Sequence, residues 1–102
     1  PCKIKRLVGQ SGMSYGALGK NAITALSKGL AKAGTWMNTG EGGLSEYHLK
    51  GNGDIIYQIG PGLFGVRDHD GNFNKDMFIH LIVLILLKIQ QIYWISLIDY
   101  NQ

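Results

Sequence analysis

Cysteine occurs once in this chain of 102 residues, at Cys2. One thiol excludes an intramolecular disulfide and gives at most one ligand to a metal or iron–sulfur site. No apolar run followed by small residues opens the chain, so nothing in it reads as a signal peptide, and a cytoplasmic location is the expectation. Acidic residues are missing from positions 1–40, which carry Lys3, Lys5, Arg6, Lys20, Lys28 and Lys32. A basic amino-terminal half invites an anionic partner. However, no aromatic residues interleave these cations as a single-strand platform requires. Lys28 and Lys32 also stand four apart, as on a solvated helix face, so nucleic acid is not expected as a partner. The histidines, His48, His69 and His80, show neither an H-E-x-x-H nor a paired ligand spacing, and no G-x-S-x-G occurs. No metal site and no triad hydrolase is expected.

Glycine is absent after Gly71, although 15 glycines occur up to that point. From Met77 onward, MFIHLIVLILLKIQQIYWISLIDYNQ holds seven isoleucines and five leucines in 26 residues, with no Gly, Ala or Pro. Three readings of this tail are open. His80, Lys88, Gln90 and Gln91 interrupt it as a membrane helix. The isoleucines at 79, 82, 85, 89, 92 and 95 make one helical stripe, but leucines cover the other faces. Out-of-frame translation of AT-rich DNA would give the same composition, and this third reading is preferred. The chain thus divides at residues 1–76 and 77–102.

The head alternates element types. KRLVGQSGMS reads as a strand rising into a polar turn. GKNAITALSKGLAKAG places Ile23, Leu26, Leu30 and Ala33 on one helical face, with Gly34 where a C-cap is expected. TWM is a short strand, GLSEYHL a weak helix, DIIYQIG the clearest strand and RDHDGNFNKD a polar turn. Strand, helix, strand, loop, strand points to an α/β fold with a parallel sheet.

Gly60, Gly62 and Gly65 form a literal G-x-G-x-x-G directly after the DIIYQI strand. A dinucleotide site needs a helix opening at the third glycine and an acid about 20 residues on. VRDHDGNFN follows Gly65 instead, and His80 stands twenty beyond Gly60. The Rossmann reading fails twice. An EF-hand loop with Gly71 sixth would begin at Val66 and end at Met77, neither of which offers a charged oxygen. Asp70-Gly71 is better read as a hairpin turn.

Three glycine-rich polar turns follow strands: GQSGMSYGAL (9–18), NTGEGGLSEYH (38–48) and QIGPGLFGVR (58–67). Small residues at strand ends let backbone N–H groups approach a flat or anionic ligand. Such turns describe the active face of a (β/α)₈ barrel or an open-sheet crevice.

The runs GMSYGALGKNAITALSKG and MNTGEGGLSEYHLKGNGDIIYQIGPGLFGVRDHDGNF closely resemble the FMN-binding domain of the glutamate synthase family, most nearly its stand-alone glutamate synthase-like members. The likeness is collinear over residues 9–76. It implies a partial TIM (β/α)₈ barrel, reaching about the first three strands; the apolar tail beyond it reads as helical from its own isoleucine spacing. It implies FMN as cofactor, with Met13, Ser14, Gly16 and Ala17 (and Tyr15 among them) near the flavin. Asn38, Thr39, Gly40, Gln58 and Gly60 complete the implied cofactor set, with Gly42 and Gly43 beside them in the second turn. Glu41, the one acid in N-T-G-E-G-G, is the implied catalytic residue. The implied reaction is reductive amination of 2-oxoglutarate to glutamate through 2-iminoglutarate, at the expense of reduced FMN.

Two features depart from the large enzymes of the family: Leu63 stands where they have an arginine, and their iron–sulfur cysteines are absent. The leading expectation is an oxidoreductase fragment, inactive alone, acting on 2-oxoglutarate or a related small molecule with an unnamed electron donor. The alternative is a small membrane-associated or interaction protein anchored by a 77–102 helix.

Overall fold

A computed structural model describes residues 5–88 and 92–96. The first helix, α1 (Tyr15–Ala33), opens on Ser14, whose Oγ accepts from the Ala17 N–H at 3.2 Å. This is an N-cap satisfying a donor that the helix leaves unpaired. The cap sets the start one turn ahead of the apolar periodicity, and Gly19 (φ 80°) kinks the helix where the two pieces meet. Gly34 ends it in the left-handed region (φ 70°), its N–H on the Ala31 carbonyl at 3.0 Å, as the spacing predicts.

Three parallel strands follow, β1 (Trp36–Asn38), β2 (Asp54–Ile59) and β3 (Ile92–Ser96), adjacent in the order β1-β2-β3. Met37 pairs with Ile55, and Ile55 with Ile92. The strand expected from KRLVG contracts to one parallel bridge, Gln10 to Met37, with Gln10 N–H on Trp36 O and Asn38 N–H on Gln10 O, each 3.1 Å. Between β1 and β2 the weak helix is a 3₁₀ turn, Glu46–Leu49. Arg67 bridges Phe73 antiparallel, closing the expected hairpin, and Asp68 Oδ1 accepts from the N–H groups of Asp70 and Asn72, both at 2.9 Å. That carboxylate organises its own turn.

The second helix, α2 (Lys75–Lys88), is capped by Asn74 Oδ1 on the Met77 N–H at 2.9 Å and runs across the composition break. The expectation of one continuous helix over 77–102 is corrected: the helix ends at Lys88 and β3 follows it. A parallel neighbour for β2 can be reached only by a crossover, and α2 supplies one. Among the described residues no helix is long and apolar enough to cross a membrane, which removes the structural support for the anchored alternative. Residues 89–91 and 97–102 of the tail lie outside the described residues.

Ile55, Tyr57 and Ile59 share one face of β2, since strand side chains alternate. Ile55 packs with Ile23 of α1 and Met37, joined by Leu26, Leu30 and Leu49. Tyr57 and Ile59 pack with Val66, against Phe78 and Leu81 of α2. Both helices therefore cover one face. Ile56 and Gln58 point to the other. Ser27 on α1 seals a crossing point: its Oγ donates to His48 O (2.7 Å) and accepts from Gly51 N–H (2.9 Å). A β-carbon at Gly51 would stand 2.8 Å from Lys28 N, so backbone meets backbone there.

Two substitutions check this packing by urea denaturation. Ile23→Ala is expected to cost about 2–5 kcal/mol through the cavity it leaves. Gly51→Ala is expected to cost about 1–3 kcal/mol by forcing α1 away from the loop. An unshifted midpoint in either would refute the contact.

Candidate ligand face at the strand ends

The three turns predicted to act together meet at the carboxyl ends of the strands. The first, Ser11–Ser14, leaves the Gln10 bridge and runs over β1, with Met13 N–H on Asn38 O at 3.3 Å. The second leaves β1 at Asn38, which is nearly buried, and Thr39, which is fully buried. Asn38 Oδ1 accepts from Gly40 N–H at 2.8 Å. Thr39 stitches neighbouring strands: its N–H donates to Ile56 O (3.0 Å), its Oγ1 accepts from Gln58 N–H (3.3 Å) and donates to Gly40 O (2.9 Å). Every polar atom of that side chain is used internally.

Glycine is required where the turns touch. Gly40 has φ 69°, and a β-carbon there would lie 2.9 Å from Ser14 N and 3.2 Å from Met13 C. One at Gly12 would lie 2.9 Å from Gln58 Oε1 and 3.2 Å from Gly40 Cα. At Gly60 it would lie 2.8 Å from Glu41 Cβ, so the exposed Glu41 side chain lies across the start of the third turn. Met13, Ser14, Asn38, Thr39, Gly40, Glu41, Gln58 and Gly60 are thus gathered by close approach. Gly16 and Ala17 sit in the first turn of α1, exposed, with the Ala17 N–H already taken by Ser14.

Two observations bear on whether a ligand fits. The N–H groups of Gly12, Glu41 and Gly42 make no hydrogen bond among the described residues. Gln10 Oε1 is buried with no partner. Unpaired donors at glycine-bearing strand ends suit a flat, acceptor-rich heterocycle. Among the described residues no three His, Cys, Asp or Glu side chains stand close enough to hold a metal ion.

The third turn does not open a helix. Gly60–Gly65 is a succession of tight turns, and α2 begins only at Lys75. Leu63 adopts φ 52° and packs on the Tyr57, Ile59 and Val66 cluster, so it faces the core. Arg67 folds back over the same turn, its Nη1 on Gly62 O at 3.2 Å and its guanidinium 4.4 Å above the Phe64 ring. On the helix side, a cavity of about 640 Å³ is bounded by Gly43, Tyr57, Gly65, Asp76, His80 and Leu81.

In the sequence His48, like His69 and His80, reads only as a surface or satisfied histidine rather than a ligand, which gives no sign of its place beneath the face. It is fully buried, with Nε2 3.1 Å from Met13 O and Nδ1 3.1 Å from Ser45 N. Burial lowers its pKa, opposed by hydrogen bonding to the backbone of Met13 and Thr39. The spacing Ser45-x-x-His48 is a capping box with histidine in the place of the usual Glu or Gln, which is why it carried little signal.

The conserved region in glutamate synthase matches residues 1–91, beyond the composition break at Met77. A glutamate synthase large subunit-like protein, YerD, of Bacillus subtilis (strain 168) is 71% identical over 79 residues, covering 76% of this chain and 15% of that protein. An archaeal glutamate synthase [NADPH] of Methanocaldococcus jannaschii is 45% identical over 56 residues, 55% of this chain and 11% of that one. The archaeal-type glutamate synthase [NADPH] of Thermotoga sp. (strain RQ2) is 43% identical over 54 residues, with 53% and 11% covered. No solved structure matches. The chain spans only 11 to 15% of these relatives' length. Sharing its conserved region over most of its residues, the chain belongs to the glutamate synthase family.

Proposed function

We propose that this chain is one sector of an FMN-dependent, glutamate synthase-like oxidoreductase, supplying the edge of the flavin site and inactive alone. The observation that carries the reading is the convergence of the three turns through Gly12, Gly40 and Gly60 on one rim. The sequential parallel order, Gln10 segment, β1, β2, β3, suits a singly wound barrel. An open sheet binds at a reversal of strand order, and the described strands have none.

FMN, when bound, supplies hydride chemistry. The residues of this chain would bind and orient its ring. Asn38 and Gln58, on the rim with the free N–H groups of Gly12 and Gly42, would donate toward its pyrimidine edge. Positioned donors of this kind favour a ring that carries extra negative charge. Glu41, held across Gly60 and exposed, stands to hold or pass the proton of an iminium substrate. Iminoglutarate or a related small molecule is the proposed substrate. Leu63 contributes nothing to a substrate carboxylate, because its side chain is spent in the core. The archaeal relatives are named for NADPH, which makes NADPH the electron donor to try first.

A chimera tests this, with the matched segment of the Bacillus relative exchanged for that of this chain. It is expected to purify with the flavin content of its parent, whereas the 102-residue chain alone holds no stoichiometric flavin. A flavin-free parent, or a flavin-free chimera from a loaded parent, overturns the reading.

Within the chimera, Gly40→Ala is expected to lose flavin at least tenfold, since it meets the Ser14 backbone. Glu41→Gln is expected to keep flavin and lower turnover roughly 10²-fold or more, the range of a positioned acid or base. Unchanged turnover would remove Glu41 from the chemistry.

A further inference from the structure

We infer that His48 is a positioning residue for this face, holding the first turn against the 3₁₀ turn in one neutral tautomer. The inference rests on reading the strand ends as the ligand face, but its geometry stands by itself. Nε2 faces a carbonyl, Met13 O at 3.1 Å, so that nitrogen carries the proton. Nδ1 faces the Ser45 N–H at 3.1 Å and the Ser45 hydroxyl at 2.8 Å, so it accepts. The network assigns the tautomer. No other described side chain hydrogen-bonds to Met13, whose N–H sits on Asn38 O and whose backbone carbon lies against Gly40. His48 therefore fixes the height of the first turn relative to the second.

A second proton on the ring would set Nδ1–H against the Ser45 N–H and bury a charge. The ionisable groups on the elements around it are Glu46, Tyr47 and Lys50 on the 3₁₀ turn and Tyr15, Lys20, Lys28 and Lys32 on α1. Glu41 on the second turn and Asp54 and Tyr57 on β2 complete them. None of these contributes to the shift of the ring, which comes from burial and from the Met13 and Thr39 backbone. The neutral form is favoured in the folded state. Its contribution is complete above about pH 6.5, the ordinary histidine value, and is lost as pH falls through the lower folded-state value.

Amide hydrogen exchange on the full chain tests this without flavin. After correction for intrinsic rates, protection at the Met13 and Gly40 amides is expected to fall about tenfold as pH drops below 6.5, the scale of one buried hydrogen bond. His48→Gln retains a donor toward Met13 O but cannot gain a proton. It should stay within about threefold of the wild type at neutral pH and show no acid-dependent loss. His48→Leu should lose protection at every pH. Overturning results are a wild-type profile matching that of His48→Gln, full protection in His48→Leu, or no protection of these amides in the wild type. Flavin release from the chimera against pH then reads the link to the cofactor. A flavin-free chimera refutes the flavin reading and leaves the exchange result to decide the positioning role.

Discussion

No side chain fits at position 40, and the arrangement of the strand ends depends on that exclusion. The left-handed backbone of Gly40 brings the second turn under the first, with Ser14 N and Met13 C where a β-carbon would stand. A residue with a β-carbon would meet both a conformational penalty and a backbone clash. From that approach follow the Met13–Asn38 hydrogen bond, the packing of Gly12 on Gln58, and the seat of Met13 O over His48. The rim is built of backbone, which places donors more rigidly than long side chains would.

The helix α1, both short strands of the head and the hairpin were legible because each carries a local signal. Apolar residues at helical spacing end on Gly34, β-branched Ile55 and Ile56 precede a glycine turn, and Asp70-Gly71 marks a reversal. The convergence of three turns was legible only as a repeated pattern of small and polar residues after strands. What stayed hidden was non-local. The KRLVG segment has strand composition, yet only Gln10 finds a ladder partner; Leu7 and Val8 are left exposed. Strand formation there is decided by neighbours, not by propensity. The Ile-rich tail misled for the same reason. Isoleucine at every third or fourth position draws a helical stripe, but isoleucine also favours strands, and pairing with β2 decides for a strand at Ile92–Ser96.

His48 and Leu63 show how little a residue type says without its direction. A histidine lacking ligand spacing is bland in sequence, but a buried one must satisfy two nitrogens, and here those two ties join a 3₁₀ turn to the rim. Leu63, in a turn that otherwise faces the strand ends, spends its side chain in the core through a positive φ. Arg67 supplies the cation of that turn instead, pinned to Gly62 O and Phe64. A turn can thus divide labour between anchoring itself and presenting chemistry.

All three strands and the Gln10 bridge run the same way. Every turn at their carboxyl ends therefore arrives on one side, however many parallel strands are added. Growth of the sheet beyond either outer strand lengthens a single wall rather than founding a new one. Specificity can then be rewritten in distant turns while the segment with Gly12, Gly40 and Gly60 keeps its shape, as a keystone course does beneath later masonry.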